Sequence, residues 1–128
     1  MEVILFNELN ITPLIKAKES FEIALNAPET DLNRDAAIQR FEYTFELIWK
    51  TIKRILKYKG MNANNPRDVI REAAKQGLID NPALWFTFLD DRNETVHTYN
   101  ESVAKEIYQD LPIFQQELTK LLNKMLAL

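Results

Sequence analysis

The chain has no cysteine, which excludes disulfide bonds and thiolate metal sites and is compatible with a reducing cytoplasm. It has only two glycines and five prolines in 128 residues, too few for a turn-rich β protein. No apolar run approaches the roughly 20 residues that a membrane-spanning helix needs, and the N-terminus lacks a basic region followed by an apolar run. We therefore expect a cytoplasmic protein without a secretory signal or a membrane anchor.

Positive charge is not in excess either, because 16 basic residues face 19 acidic ones and the net charge is -3. Proteins that hold nucleic acid by bulk charge are usually basic overall, so any contact with RNA or a nucleotide must be local. The single histidine, His97, means that a zinc site with several histidines would need a second subunit. We expect no metal and no cofactor.

Apolar residues that recur every three or four positions predict five helices. Caps and helix breakers place them: helix one at 12–27, helix two from a cap at Asp31 or Asn33 to Gly60, helix three from Asn65 to Gly77, helix four from Asn81, and helix five from Asn100, with a kink or split at Pro112. Helix three is short. The predicted fold class is an all-α up-and-down bundle of four main helices plus one short helix, in one domain over residues 1–128.

Helix two has an unusually wide apolar surface, because Tyr43, Leu47 and Trp49 lie beside its main apolar stripe. Such a helix is either central in its bundle or carries a partner surface as well as a core face. Its last turns gather five basic residues: Lys50, Lys53, Arg54, Lys57 and Lys59. They are either cations that suit the helix C-terminus on a solvated face, or a local patch that attracts phosphate.

A polar segment at residues 90–100 interrupts the helical pattern and contains the only histidine. If helix four continued through it, Arg92 and His97 would lie about 140° apart around the helix axis. Either the helix breaks before His97, or the two groups meet from different subunits, or the long arginine side chain curls round the helix. Asn100 as a cap for the next helix favours a break within 95–99.

An arginine and a histidine in one polar segment suit RNA strand cleavage without a metal. The histidine can take a proton from a 2′-hydroxyl or give one to the leaving 5′-oxygen. The arginine can hold the scissile phosphate and offset the charge that builds on it. One histidine per chain supplies a base or an acid at any moment, so two-fold pairing of two such segments would help. A histidine near a helix end is also a common structural hydrogen-bonding group.

The spacing Arg92-x4-His97-x-Tyr99 resembles the R-x4-H-x-Y motif of the HEPN superfamily, specifically the HepT-like toxins. The surrounding residues 89–101, together with the helix-two run Arg40–Lys50, are similar to the family of nucleotidyltransferase substrate-binding proteins. The likeness extends from helix one to helix five. It implies a HEPN-like helical bundle that forms a homodimer and pairs with a separately encoded minimal nucleotidyltransferase.

The resemblance also implies roles for individual residues. Arg92 and His97 correspond to a metal-independent RNase site formed across the dimer, with Asn93 as the polar residue beside the arginine. Tyr99 corresponds to the tyrosine that the partner enzyme modifies with AMP, which silences the toxin. Asp90 and Asp91 match the family pattern as supporting residues, and holding Arg92 in place is the role we consider for them.

Three hypotheses follow from the sequence. The first is an RNase toxin that acts on RNA and is neutralised by its nucleotidyltransferase partner. The second is a non-catalytic subunit that presents substrate to the nucleotidyltransferase or docks on it. The third is a helical dimer whose polar segment only caps helices.

Overall fold

Five α-helices form the protein in a computed structural model that describes residues 1–128. They are α1 Thr12–Asn26, α2 Asp31–Tyr58, α3 Pro66–Lys75, α4 Pro82–Glu94 and α5 Glu101–Leu126. A 3-10 helix, Thr95–His97, follows α4, and two short antiparallel strands, β1 Ile4–Leu5 and β2 Leu9–Asn10, precede α1. The predicted all-α bundle of four main helices and one short helix is confirmed. None of the helices combines the length and apolarity needed to cross a bilayer.

Side-chain caps explain where the helices begin. The Asn65 and Asn100 side chains each accept a hydrogen bond from a backbone N–H in the first turn of α3 and α5, at 2.9 and 3.0 Å, as predicted. The predicted cap of α2 at Asp31 or Asn33 is wrong. Thr30 caps this helix, because its hydroxyl accepts from the Asn33 N–H at 3.1 Å. Threonine and aspartate cap helices almost equally well, so adjacent candidates are hard to separate by type alone.

The sequence predicts that Pro112 kinks or splits α5, and the predicted split is wrong, because the helix runs unbroken from Glu101 to Leu126. Proline lacks an N–H and removes one backbone hydrogen bond from a helix. Pro112 is exposed, so the missing bond falls on the solvent side, while Leu111 and Phe114 beside it are fully buried. Burial of the opposite face holds the helix together across the proline.

The core is centred on Phe114 of α5. Its ring meets Phe21 of α1 and Phe41 of α2 edge to face, with centroids 5.4 and 4.8 Å apart. It meets Trp85 and Phe88 of α4 in the same way, at 6.0 and 5.2 Å. Edge-to-face pairs contribute about 0.5–1.5 kcal/mol each beyond their burial. One ring thus joins four of the five helices.

Helix α2 is the central helix, since it packs against each of the other four. Its additional apolar residues are used within the protein. Tyr43 donates a hydrogen bond to the Ser20 hydroxyl at 2.8 Å, and the Trp49 ring N–H donates to Glu46 at 3.2 Å. Leu47 packs against the edge of the core. The fold therefore supports the central-helix interpretation of the wide apolar surface.

The sequence did not predict the N-terminal hairpin. The Glu8 N–H donates to the Leu5 carbonyl at 3.1 Å and closes a tight turn between β1 and β2. The two central residues of this turn, Phe6 and Asn7, have φ angles of 54° and 60°. Asparagine adopts such positive φ angles readily, whereas a bulky aromatic residue rarely does. The hairpin therefore holds Phe6 at its tip in a strained backbone conformation.

Candidate functional site

The polar segment, residues 90–100, includes the point where α4 changes from α-helix to a tighter turn. Regular α-helix ends at Glu94, and the 3-10 helix Thr95–His97 follows. The Thr95 hydroxyl donates to the Arg92 carbonyl at 2.7 Å and so satisfies an acceptor at the helix end. The predicted helix break before Asn100 is confirmed, and it changes the direction in which the side chains after Thr95 leave the helix.

Arg92 is held from two sides. Its guanidinium forms an ion pair with Glu46 of α2 and donates a second hydrogen bond, at 3.0 Å, to the side-chain oxygen of Asn93. A guanidinium has five N–H groups, so three remain for a ligand. The group borders a shallow cleft of about 250 Å³ between α2 and the end of α4, lined by Glu42, Glu46, Arg92, Asn93, Thr95 and Val96.

Glu46 was not among the predicted site residues, yet it fixes the position of Arg92. One carboxylate oxygen binds Arg92, and the other accepts from Trp49 at 3.2 Å and lies 3.8 Å from Lys50. These contacts restrain the carboxylate and, through it, the guanidinium. The only sequence signal was that Glu46 lies within the helix-two run Arg40–Lys50 that resembles the family.

His97 and Tyr99 form a second pair, on the exposed side of the segment. The Tyr99 hydroxyl lies 3.4 Å from His97 Nδ1, and the two rings meet edge to face with centroids 6.0 Å apart. Tyr99 is 85% exposed, so its hydroxyl is open to another protein. No hydrogen bond joins either residue to Arg92 or Asn93 within the chain. The predicted site residues thus come together as two separate pairs.

Asp90 and Asp91 do not hold Arg92, and that interpretation is wrong. Neither carboxylate forms an ion pair with Arg92, whose partner is Glu46. Asp91 instead interacts with Asp110 of α5, and one of its oxygens is buried without a hydrogen-bond partner. The reason is helical geometry, because adjacent residues project about 100° apart around a helix.

Asp91 therefore lies in strongly acidic surroundings. Burial is the largest cause that raises its pKa, from 3.8 to about 8, followed by a hydrogen bond with Asp110 and by the negative charges of Asp110, Asp90 and Glu106. Burial disfavours the charged form of a carboxyl, and nearby negative charges disfavour it further. Burial and the neighbouring negative charges therefore favour the protonated form of the Asp91 carboxyl, which faces Asp110 where α4 packs against α5.

The arrangement supplies two chemical capabilities. Arg92 offers unused N–H donors at the edge of an open cleft, which suits a phosphate group. His97 offers an exposed imidazole, which can accept or donate a proton. Within one chain, the two capabilities lie in different residue pairs.

The sequence and the helical bundle match a known class of protein. The chain belongs to the family described as nucleotidyltransferase substrate binding protein like, whose model matches residues 9–127.

Individual relatives agree with this assignment. The chain is 35% identical over 94 residues to a Haemophilus influenzae protein named "Probable ribonuclease HepT". This match takes in 70% of the chain and 64% of that relative, which is less than two thirds of its length. The recognition of a HepT-like family from the sequence is thus confirmed.

Two solved structures share the fold. A protein from Thermus thermophilus superposes with a TM-score of 0.83 at 36% identity, covering 88% of this chain and 98% of that one. A Haemophilus influenzae protein, described as having the fold of a substrate binding domain of a nucleotidyltransferase, superposes with a TM-score of 0.81 at 29% identity. That match covers 91% of this chain and 98% of the other.

Proposed function

We propose that this protein is a HepT-like toxin subunit, a cytoplasmic metal-independent endoribonuclease made of one HEPN-like domain. Its partner is a minimal nucleotidyltransferase, which silences it by adding AMP to Tyr99. The observation that carries the proposal is the contact between the exposed Tyr99 hydroxyl and the His97 ring, 3.4 Å apart. It links a residue that can be modified to a residue that can transfer a proton.

In the proposed reaction the RNA supplies its own nucleophile. The 2′-oxygen attacks the adjacent phosphorus while the bond from phosphorus to the 5′-oxygen breaks, which leaves a cyclic phosphate and a free 5′-hydroxyl. His97 takes the proton from the 2′-hydroxyl or gives one to the departing 5′-oxygen. Arg92, with the N–H groups that Glu46 and Asn93 leave free, binds the phosphate oxygens as their charge grows.

A homodimer would supply what one chain lacks. Each chain carries one histidine, which acts as a base or as an acid at any moment. The Arg92–Asn93 pair and the His97–Tyr99 pair are not joined within one chain. Two-fold packing of two polar segments would bring a second histidine to the site and place the pairs of both chains around one phosphate.

Modification of Tyr99 would act directly on His97. In this step the Tyr99 oxygen attacks the α-phosphorus of ATP, pyrophosphate leaves and the phenolic proton passes to solvent. The AMP group then carries a negative charge and a base into the space beside the imidazole. It would block RNA sterically and repel the scissile phosphate by charge.

The test is cleavage of RNA by the purified protein and by three variants. We expect His97→Ala and Arg92→Ala to lose cleavage, and Tyr99→Phe to keep it but to escape silencing by the nucleotidyltransferase. Mass analysis of the wild type after incubation with the partner and ATP should show one added AMP. Cleavage that survives both alanine substitutions would refute the proposal.

The same variants separate catalysis from a capping role. His97 is exposed, and its side chain contacts only Tyr99 by a hydrogen bond. We expect His97→Ala to change the free energy of unfolding by no more than about 0.5 kcal/mol, as is usual for surface positions. A large loss of stability with unchanged cleavage and unchanged partner binding would favour the capping hypothesis.

A second candidate function is a non-catalytic subunit that presents substrate to the nucleotidyltransferase or docks on it. The observation in its favour is the Glu46 carboxylate, which already neutralises Arg92 and competes with a phosphate for it. This function predicts that the protein changes nucleotidyltransferase activity in a purified mixture, with wild-type and His97→Ala proteins acting alike.

A further inference from the structure

Two exposed aromatic rings are stacked at the C-terminal end of α2, several turns beyond Glu46, the residue of this helix that binds Arg92. Phe6, at the tip of the N-terminal hairpin, lies face to face with Tyr58, with ring centroids 4.8 Å apart and planes 17° from parallel. They are 40% and 41% exposed. Burial in the core therefore does not account for this pair.

The backbone at Phe6 is strained, because this residue has a positive φ angle. Its φ angle of 54° is one that a residue with a bulky side chain rarely adopts, and asparagine or glycine would fit better there. The Tyr58 hydroxyl donates to Glu8 of the same hairpin at 2.7 Å, which anchors the second ring. Strained residues concentrate at functional sites, so the aromatic tip calls for a functional explanation.

Four cations lie next to the stack in what we call the α2 basic stripe: Lys50, Lys53, Arg54 and Lys57. Their spacing of three and four places them along one face of the helix. Of the four, only Lys50 has an ion-pair partner, Glu46. The other three form no ion pair, although the protein as a whole is acidic.

Two open clefts lie along the stripe, and one of them reaches Tyr58 of the stack. One of about 420 Å³ is lined by Glu8, Arg54, Lys57 and Tyr58. The other, of about 280 Å³, lies between the stripe and the loop after α2, with Asn62 and Asn64 among its lining residues. Arg54 and Lys57 border both clefts, so the surface is continuous. The side-chain amides of Asn62 and Asn64 supply hydrogen-bond donors in addition to those of the cations.

We propose that the α2 basic stripe and the Phe6–Tyr58 stack form a binding surface for single-stranded RNA. The stripe takes the phosphates, and an unpaired base stacks on the exposed part of the aromatic pair. Positively charged grooves combined with aromatic side chains are how proteins bind single strands without reading their sequence. RNA is favoured over a protein partner because three of the four cations form no ion pair, and Glu8, the one carboxylate that lines either cleft, is engaged by the Tyr58 hydroxyl.

The surface is placed to serve the candidate site, and the choice of RNA as ligand rests on the proposed function. Glu46, which holds Arg92, and Tyr58 lie on the same helix, 12 positions apart, or about 18 Å along its axis. The Lys50–Glu46 ion pair connects the two regions. A strand cut beside Arg92 would therefore extend over the stripe by a few nucleotides.

The test measures binding of a fluorescent single-stranded RNA of about 12 nucleotides, a length within the range of such sites. All proteins carry His97→Ala so that the RNA stays intact. Phe6→Asn removes the ring but suits the positive φ angle, so the hairpin is retained. Tyr58→Leu removes the other ring, and Tyr58→Phe is compared with it, because it keeps the ring and loses only the hydroxyl that bonds to Glu8.

We expect Phe6→Asn and Tyr58→Leu each to weaken RNA binding by about 5-fold to 150-fold, the range for loss of one stacked base, and Tyr58→Phe to weaken it less than Tyr58→Leu does, because the ring remains. The double variant Arg54→Gln with Lys57→Gln should reduce the slope of log affinity against log salt by about 1.4, or about 0.7 for each lost phosphate contact. Lys75→Gln, which removes an exposed lysine from α3, is the matched charge control and should leave the slope unchanged.

Affinities that stay within about twofold of the parent in both ring variants would overturn the proposal. Ring variants that bind RNA normally but no longer co-purify with the nucleotidyltransferase would also overturn it, since the surface would then bind a protein. A wild-type surface that binds ATP but not the oligonucleotide would overturn it as well. The proposed RNase function fails separately. If the wild-type protein binds RNA through this surface without cutting it, only the proposed RNase function is refuted. If the wild-type protein cuts RNA and the ring variants bind RNA normally, only the proposed binding surface is refuted.

Discussion

Replacing Asp91 by asparagine should stabilise the protein, and the size of the effect should depend on pH. The Asp91 carboxyl is partly buried beside Asp110, and one of its oxygens has no hydrogen-bond partner. In the folded protein its pKa is raised to about 8, whereas the unfolded value is 3.8. Between these values the folded state holds a proton that the unfolded state has lost. Folding stability therefore falls as pH rises through this window.

The magnitude follows from the pKa difference and the exposure of the group. Each pH unit between the two pKa values lowers stability by up to about 1.4 kcal/mol, which gives about 5–6 kcal/mol over the whole window for a dry site. Asp91 is only partly buried, so solvent screens much of this. We expect Asp91→Asn to raise the free energy of unfolding by about 1–2 kcal/mol at pH 8 and to leave it nearly unchanged near pH 4.

Urea denaturation at several pH values between about 4 and 8 would measure this difference. The asparagine amide can still donate a hydrogen bond to Asp110, but it does not titrate. Asp90→Asn is the matched control, because it makes the same substitution at an exposed neighbour and should shift stability by less than about 0.5 kcal/mol. A pH profile for Asp91→Asn that runs parallel to the wild-type profile would refute the reasoning.

Three further predictions concern other parts of the molecule. Thr30→Ala removes the cap of α2 and should lower the free energy of unfolding by about 1 kcal/mol in urea denaturation, whereas Thr30→Ser should be nearly neutral. Phe114→Ala empties the centre of the aromatic core and should lower the free energy of unfolding by about 3–5 kcal/mol, with a lower melting temperature. A loss below about 1 kcal/mol would contradict the packing described for this ring. Glu46→Gln frees Arg92 from a competing charge and, under the proposed function, should tighten RNA binding by about 2-fold to 5-fold, because a partly exposed ion pair contributes at most about 1 kcal/mol.

The helices could be predicted from the sequence because their signals are local. Asn65 and Asn100 cap helices through bonds to backbone groups two or three residues away, so spacing alone was enough. Where local signals compete, prediction failed. Thr30 was missed beside Asp31, and Pro112 was expected to interrupt a helix that tertiary packing holds together.

The candidate site was only half predictable, for a similar reason. Arg92, Asn93, His97 and Tyr99 were singled out by the resemblance of one short segment to a family motif. The contact that fixes Arg92 comes from Glu46, which is 46 positions away in the chain. A glutamate on a helix face rich in charges has many possible partners, and only the packing of α2 against α4 selects one of them.

The N-terminal hairpin could not be predicted from the sequence, for a different reason. Its strands contain two residues each, too short for any alternation of apolar and polar residues to show. The turn also places a phenylalanine where turn preferences call for asparagine or glycine.

The position of Phe114 in the last helix has a consequence for biosynthesis. A ribosome releases α1, α2 and α4 first, so the rings of Phe21, Phe41 and Phe88 emerge without the side chain that they surround in the finished protein. Until α5 leaves the exit tunnel, these rings have only each other and water as neighbours. We therefore expect the nascent chain to remain loosely collapsed, and open to chaperones, for most of its synthesis. It should reach its stable packing only after the final helix has been released.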